Sequence, residues 1–485
     1  MIPSHRFSAL LLCASVVSSA GVAETLNEAI VRAVASLPEV RAARANRNAI
    51  EESVTQARGA WFPTLDASLG WGRETSNNAS TRVTGSNVTL DRREAEVNLS
   101  QLLFDGGAAA GQIRRFALKA QSAGDLLSNA AETAAARAAQ AYLDVMRLRD
   151  LIILAEQNEK RHQETLAQVS RLAEVGQGRR VDAQQAEARL ALAQASLTQL
   201  RSQLAQANAA YQHVTGQAPD KLEAVDGLPS KLPASLQDAI ARAQEAHPAI
   251  RAAHQEWLAA QADRDTARER KNSPRLTLDL GQSVNRDLDG IRGVNADRYA
   301  MLRLRFNLFR GGTDTARVRE AEARIDESLA TLARVRNDSE RDLRQAWDTL
   351  VQDRLRLPQL RQYASVSAQV VSAYRSQFTL AQRTLLDVLN SENELYNARS
   401  SEQSGQYAVT LGEIRVLSAM GELLRAMNVN LEAPQSARPA TAPAPASKTP
   451  GSDTQEAVPQ HRSRISGPHE GTRVKYGQGL QASAP

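Results

Sequence analysis

The chain has 485 residues, of which 42% are hydrophobic but only 4% aromatic. Its apolar residues are therefore largely Ala, Leu and Val, a composition typical of packed long helices rather than of thick globular cores. Its 59 basic and 54 acidic residues are interleaved and leave a net charge of only +5, so no basic stripe favours nucleic-acid binding.

Residues 1–23 have the features of a signal peptide. The apolar run Phe7–Val17 is too short to span a bilayer, and the small residues up to Ala23 offer a cleavage site. Two alternatives are a buried first helix and a lipid anchor at Cys13, although Leu12 precedes it where a small residue is normally needed. No later segment has the length of apolar sequence that a transmembrane helix requires.

The remaining chain contains one unit twice, at an offset of roughly 205 to 211 residues. The matching segments occur in the same order and include Leu26–Ile30 with Leu236–Ile240, Pro38–Ala42 with Pro248–Ala252, and Phe104–Gly107 with Phe309–Gly312. So long a period indicates a duplication. We predict a first repeat over residues 24–227, a second over residues 228–433, and a disordered Pro- and Ala-rich tail over residues 434–485.

Each repeat is predicted to contain a pair of strands, within residues 62–104 and 275–309. Apolar and polar residues alternate along each strand, and each run has about the ten residues that a tilted membrane strand needs. The intervening stretches 73–93 and 282–298 are polar and are predicted to be loops. Four charged side chains on the polar face are predicted to line a water-filled lumen: Glu94, Glu96, Arg303 and Arg305. The alternative is a soluble sandwich with one hydrated face.

Each repeat is also predicted to contain long helices, within residues 107–216 and 312–427. A helix from Gly107 to Glu174 would be roughly 100 Å long. The next helix has a seven-residue register that is typical of left-handed coiled coils, at Leu190, Leu197, Leu204 and Tyr211. In the second half, Pro358 is predicted to kink the matching long helix.

Four membrane strands in one chain cannot close a barrel, because an open sheet would expose unpaired backbone groups to lipid. Two chains would give eight strands, whose interior is filled by side chains, whereas three would give twelve strands and an aqueous pore. We therefore predict an α+β membrane protein with four transmembrane strands per protomer. Three protomers would close a twelve-strand barrel, and the helices would extend it as a coiled-coil α-helical barrel.

Over about residues 24–427 the chain resembles the TolC family of outer-membrane export proteins. Two motifs carry this resemblance, namely Val175-Gly176-x-Gly178-x-x-Val181-Asp182 and the segment Gln382–Asn390 followed by Glu394–Ala398. The resemblance implies a homotrimer whose periplasmic helical barrel narrows to an iris-like entrance. It places the tips of paired helices at Gly176, Gly178, Asp182 and Thr384. For Asp182, capping of the following helix is the alternative role.

By the same resemblance, Arg383 and Asp387 belong to the entrance constriction. A three-fold ring of Asp387 would attract cations, and Arg383 would hold neighbouring helices through charge-assisted hydrogen bonds. The chain departs from the family pattern at Asn390, where a second Asp is expected, and at Phe378, where a Tyr is expected. The alternative role of Asp387 is helix capping, because Thr384 and Asp387 have the spacing of a capping box.

No enzyme, cofactor or metal site is predicted. His247 and His254 lack a third ligand, and neither Gly106-Gly107 nor Gly311-Gly312 is followed by the Gly-Lys-Ser/Thr of a phosphate loop. The energy for transport is therefore predicted to come from an inner-membrane partner.

The resemblance is greatest to members from type I secretion systems, through residues 377–398. We therefore predict a channel in the outer membrane, extending into the periplasm, that exports an unfolded protein together with an inner-membrane ABC transporter and a periplasmic adaptor (membrane fusion) protein. One alternative is the duct of a multidrug efflux pump with a proton-driven transporter. Another is a soluble periplasmic coiled-coil scaffold.

Overall fold

A computed structural model describes residues 23–83, 85, 87–225, 232–380 and 382–431. The predicted signal peptide (apart from Ala23) and the predicted tail over residues 434–485 lie outside the described residues. Within the described part of the chain, no helix is both long enough and apolar enough to cross a membrane.

The two halves of the described chain have the same order of elements, apart from one short helix in each half, between the first two strands of the first half and at the end of the second. The first half contains α1 (Leu26–Ser36), α2 (Pro38–Gly59), β1 (Thr64–Ser76), α3 (Ala79–Val83), β2 (Val88–Phe104), α4 (Ala108–Glu174) and α5 (Arg180–Thr215). The second contains α6 (Leu236–Ala246), α7 (Pro248–Asn272), β3 (Arg275–Arg286), β4 (Val294–Arg305), α8 (Thr313–Thr379), α9 (Leu385–Ala419) and the short α10 (Leu423–Ala426).

Similar local signals begin the corresponding helices in the two halves. Proline occupies the first turn of α2 and of α7, where its missing N–H leaves no helical hydrogen bond unmade. Both 67-residue helices, α4 and α8, begin after a glycine with positive φ, Gly107 at 96° and Gly312 at 84°. A β-carbon at the neighbouring Gly106 would lie 2.1 Å from the Ser273 side chain. Helix α8 continues through Pro358 as one element.

The strands form one antiparallel sheet in the order β1-β2-β3-β4. The two predicted loops are shorter than expected, because β1 and β2 remain paired as far as Ser76 and Val88, and β3 and β4 as far as Arg286 and Val294. The fourth strand ends at Arg305 rather than reaching Leu308. Among the described residues, β1 and β4 each have a single partner strand, so the sheet has two open edges.

The long helices pack side by side, with α4 in the middle. Near the sheet, α4 packs between α2 and α7, and α7 packs in turn against α8. Toward the far end, α5 and α9 pack against α4, and α9 packs against α8. Helix α8 therefore lies at one edge of the layer, and α2 and α5 lie at the other.

Glu24, near the start of the described chain, is held against the largest apolar cluster, to which Tyr142 and Tyr211 belong. Its backbone N–H donates to the Lys221 carbonyl at 2.8 Å, and its own carbonyl accepts from the Tyr142 hydroxyl at 2.7 Å. The hydroxyl of Tyr211 donates to the Glu24 carboxylate at 2.7 Å. Both phenol rings are fully buried, so residue 24 has a fixed position between α4 and α5.

Candidate functional site

The turn from α4 to α5 is one of the two predicted helix tips. The amide of Gln177 donates to the Leu172 carbonyl at 2.9 Å, and Gly176 has a φ of +73°, which together make a glycine-terminated helix end. A β-carbon at Gly178 would lie 3.0 Å from the backbone nitrogen of Ala173. Both glycines are therefore needed for the tight reversal.

Asp182 does not cap α5, contrary to the capping alternative. The N-cap residue is Arg179, which makes no side-chain capping hydrogen bond, and Asp182 lies in the first helical turn. A negative side chain there still interacts favourably with the positive end of the helix dipole.

Helix α9, which follows the second tip, begins with the capping box that the spacing predicts. The Thr384 hydroxyl accepts from the Asp387 N–H at 3.3 Å, and the Asp387 carboxylate accepts from the Thr384 N–H at 3.2 Å. Hydrogen bonds from the Thr384 hydroxyl and backbone, followed by the nearby charge of Arg383, lower the pKa of Asp387. Asp387 is therefore held in its charged form at the tip.

Arg383 contacts the last turns of α8 on its own side of the turn. Its Nε donates to the Gln377 side-chain oxygen at 3.1 Å, and its guanidinium lies 4.5 Å from the centre of the Tyr374 ring. Such stacking is a typical cation–π contact. Within the described chain, Arg383 thus fixes the α8–α9 turn, and the contribution of Tyr374 was missed in the sequence.

Two other predicted entrance residues connect the two tips. Asn390 on α9 accepts a hydrogen bond from Arg189 on α5 at 2.8 Å. Phe378, near the end of α8, packs against a small apolar cluster that contains Val169, Leu385 and Leu389. The tips of the α4–α5 and α8–α9 hairpins therefore lie together, joined by one polar and one apolar contact.

A buried charge lies behind this junction and was not predicted. Glu392 is 1% exposed and accepts from Arg375 at 2.6 Å. His162 on α4 has its Nδ1 3.9 Å from the other carboxylate oxygen of Glu392, and neither atom has a hydrogen-bond partner among the described residues. Burial is the main cause that lowers the pKa of His162; the charge of Glu392 raises this pKa but does not cancel the effect of burial, and Arg189, Arg161 and Arg375 lower it further.

The sheet register places Glu94, Glu96, Arg303 and Arg305 on one face. Ser68 and Ser283 flank Glu96 on the neighbouring strands, and Arg275 and Thr277 lie opposite Arg305 and Arg303. Two of the four side chains form ion pairs on this face, Glu94 with Arg92 and Arg303 with Asp279, the second at 2.9 Å. This polar face thus carries both signs of charge.

The other face of the sheet is apolar and uncovered. Leu69 and Trp71 on β1 are each 87% exposed, and Leu302 and Leu304 on β4 are more than 60% exposed. Exposed apolar area on this scale marks a surface that contacts lipid or another protein. Among the described residues, no group of His, Cys, Asp and Glu could hold a metal ion.

The chain matches the model of the family described as "Outer membrane efflux protein" over residues 29–217 and 239–422. It is similar to three curated relatives. It is 26% identical over 426 residues to the outer membrane efflux protein BepC of Brucella suis, covering 86% of this chain and 90% of that protein. It is 25% identical to the outer membrane protein TolC of Vibrio cholerae (84% and 92% covered) and 24% identical to the proteases secretion protein PrtF of Dickeya chrysanthemi (81% and 88%).

The fold is similar to that of a solved structure of CusC, described in terms of transmembrane channel formation. The TM-score is 0.70 at 18% identity, and the match covers 86% of this chain and 98% of that one. The family match includes both helix tips and all four strands. The chain therefore belongs to the outer membrane efflux protein family and is a protein of the cell outer membrane that extends into the periplasm.

Proposed function

We propose that three copies of this chain form a continuous exit duct across the outer membrane and periplasm. The observation that carries this proposal is the four-stranded sheet, which has two open edges, one exposed apolar face and one charged face. Pairing of β4 in one copy with β1 in the next would remove every open edge, as the lack of water in a bilayer requires. Twelve strands would leave an aqueous pore lined by Glu94, Glu96, Arg303 and Arg305.

The helices support the same ring. Helix α8 at one edge of the layer carries exposed Leu329, Leu355 and Val366, which a neighbouring copy would cover with α2 and α5. The molar mass of the detergent-extracted protein, measured by light scattering, is expected to equal three chains after subtraction of the detergent. A single chain in mild detergent would contradict the closed barrel.

The equal order of elements in the two halves supports a duplication, with repeats over residues 24–227 and 228–433. In this proposal each repeat supplies one strand pair and one pair of long helices. The short α3 and the capping box of α9 are later differences between the repeats.

We infer that the duct serves a type I protein secretion system, with an inner-membrane ABC transporter and a periplasmic adaptor. The name of PrtF, a proteases secretion protein, supports this choice. The resemblance of residues 377–398 to secretion members, seen in the sequence, favours the same choice. The name of BepC, an efflux protein, favours the second candidate, a multidrug efflux duct with a proton-driven transporter. Family membership does not favour the third alternative, a soluble scaffold.

Deletion of the chain from its own bacterium distinguishes the two candidates. A secretion duct is expected to leave the culture supernatant without one large protein, and the full-length chain supplied in trans should restore it. An unchanged supernatant together with drug hypersensitivity would contradict secretion and support efflux.

We propose that the paired helix tips form the entrance, with Arg383, Asp387, Asn390 and Phe378 closing it. The capping bonds of Asp387 leave its charge at the tip, so both predicted roles of this residue are compatible.

In planar bilayers, Asp387→Asn is expected to weaken current block by a trivalent lanthanide cation about tenfold, because three charges are removed from one ring. Thr384→Ala, which removes the cap but keeps the charge, is the matched control and should retain block. Equal block in both variants would contradict this entrance.

A further inference from the structure

The charges on the polar face of the sheet are sorted along the strands. The helix-side end, where β3 begins and β4 ends, carries Arg275, Arg303 and Arg305. Acidic residues predominate farther along, at Asp66, Glu94, Glu96 and Asp297. The register places Glu96 and Asp297 in the same row across the sheet, with Ser283 between them. The face is therefore basic at one end and mainly acidic beyond it.

Arg275 and Arg305 lie directly opposite each other on β3 and β4. Like charges in this arrangement destabilise a sheet. Both side chains are exposed, and neither makes an ion pair or hydrogen bond with the residues that the structure describes. The arrangement therefore lacks a counter-ion within the described part of its own chain.

The nearby acidic side chains cannot supply that counter-ion. Asp279 is already occupied, since it pairs with Arg303 at 2.9 Å and accepts from the Ser100 hydroxyl at 2.8 Å. Asp297 lies eight residues before Arg305 on the same strand, or about 26 Å at 3.3 Å per residue. That separation is several times the Debye length of about 8 Å in physiological salt, so Asp297 does not neutralise the basic end.

We propose that Arg275 and Arg305, supported by Arg303, form an anion-binding collar at the junction of strands and helices. The proposal rests on the trimeric duct, in which this face lines the pore and three copies bring six unpaired guanidinium groups into one ring. Planar guanidinium groups bind phosphate-type oxyanions by paired hydrogen bonds, so the ligand class is a multivalent oxyanion. Anionic groups of a passing cargo would meet this collar before the acidic band.

Tripolyphosphate is the probe, applied to the full-length protein in planar bilayers at constant ionic strength. Block of the current is expected at lower concentration from the helix side than from the opposite side. In the double variant Arg275→Gln/Arg305→Gln, the half-blocking concentration should rise at least tenfold. Arg275→Lys/Arg305→Lys retains the charge and should retain most of the block. Arg298→Gln is the matched control, because Arg298 lies on β4 with its side chain on the apolar face.

Unchanged block in the double glutamine variant would overturn the collar. The same holds if wild-type channels conduct normally without any tripolyphosphate block, as would happen if Asp66 of the adjacent copy neutralised Arg305. Wild-type protein that neither trimerises nor conducts would instead overturn the proposed duct and the collar with it. If the glutamine variant fails to assemble, Arg275→Gln alone provides the same comparison and should raise the half-blocking concentration at least threefold.

Discussion

Helices α4 and α8 have equal lengths of 67 residues and corresponding places in the two halves, yet they are buried very differently. Twenty-two residues of α4 are buried, many of them alanines, whereas only seven residues of α8 are buried. Helix α4 packs against six other helices, and α8 packs against α6, α7 and α9. The difference comes from position in the layer, because α4 is in its middle and α8 is at its edge.

This contrast indicates what each helix is built to contact. Alanines along α4 let neighbouring helices approach closely, as at Ala135, Ala138 and Ala139, which are fully buried. Helix α8 instead presents large apolar side chains to solvent, including Leu355 at 61% exposure and Val366 at 49%. An edge of this kind is suited to covering by a second copy, as the proposed trimer requires.

The largest effect is expected from truncation of the α4 core. Leu143→Ala should lower the free energy of unfolding by about 2–5 kcal/mol, because Leu143 is 2% exposed and the change leaves a cavity. Leu355→Ala on α8 is the matched control and should change the free energy of unfolding of the dissociated chain by less than about 0.5 kcal/mol. Urea titration of the dissociated chain in detergent measures both, and equal losses would contradict the division between centre and edge.

A pH-dependent effect of intermediate size is expected at Glu132 on α4. Burial raises its pKa to about 7, although its carboxylate accepts the N–H groups of Leu423 and Leu424 at 3.1 Å. A carboxyl pKa that is higher in the folded chain means that folding takes up a proton. The contribution of Glu132 to the free energy of unfolding is therefore complete below the unfolded pKa of about 4.5. It falls by about 3 kcal/mol in total as the pH rises toward 7.

Glu132→Gln should therefore flatten the fall in unfolding free energy between pH 5 and pH 7. Every acidic residue of α8 is described and none is buried, so Glu327→Gln on that helix serves as the control and should leave the fall unchanged. A pH profile identical in wild type and Glu132→Gln would show that the buried carboxyl does not titrate in this range.

The smallest effect is expected at the helices that follow α4 and α8. Thr384→Ala removes the capping box of α9 and should cost about 1 kcal/mol. Asp182→Ala in the first turn of α5 removes no capping bond, and its loss should stay near the few tenths of a kcal/mol of a helix-dipole interaction. Melting curves of the two variants would contradict this ranking if Asp182→Ala were the less stable.

The sequence predicted most of the fold because its signals are local. Period-two alternation locates all four strands, and the seven-residue register together with the internal repeat locates the long helices. The strand ends were not predictable in this way. The polar stretch after Arg73 has the composition of a loop but pairs across the hairpin, with Arg73 next to Asp91 at 3.3 Å and Thr75 bonded to Thr89 at 2.9 Å. Such cross-strand partners are not visible in either segment alone.

In the candidate site, too, local contacts could be predicted from the sequence and long-range contacts could not. The capping box of Thr384 and Asp387 follows from a spacing of three residues, whereas the bond between Arg189 and Asn390 joins residues 201 positions apart. The buried contact of His162 with Glu392 also depends on how two distant helices pack. Long-range contacts of this kind require the tertiary structure. The roles of the entrance and lumen residues in transport stay predictions.

The hydrogen bonds of Glu24 limit where a reporter peptide can be attached to this protein. The backbone of that residue is hydrogen-bonded to Lys221 and Glu223, and two buried tyrosines donate to its carbonyl and its carboxylate, so a reporter peptide fused directly before it would press on a tightly bonded segment. Such fusions are expected to be poorly tolerated. The exposed Ile291, in the turn between β3 and β4, is the better site for an epitope.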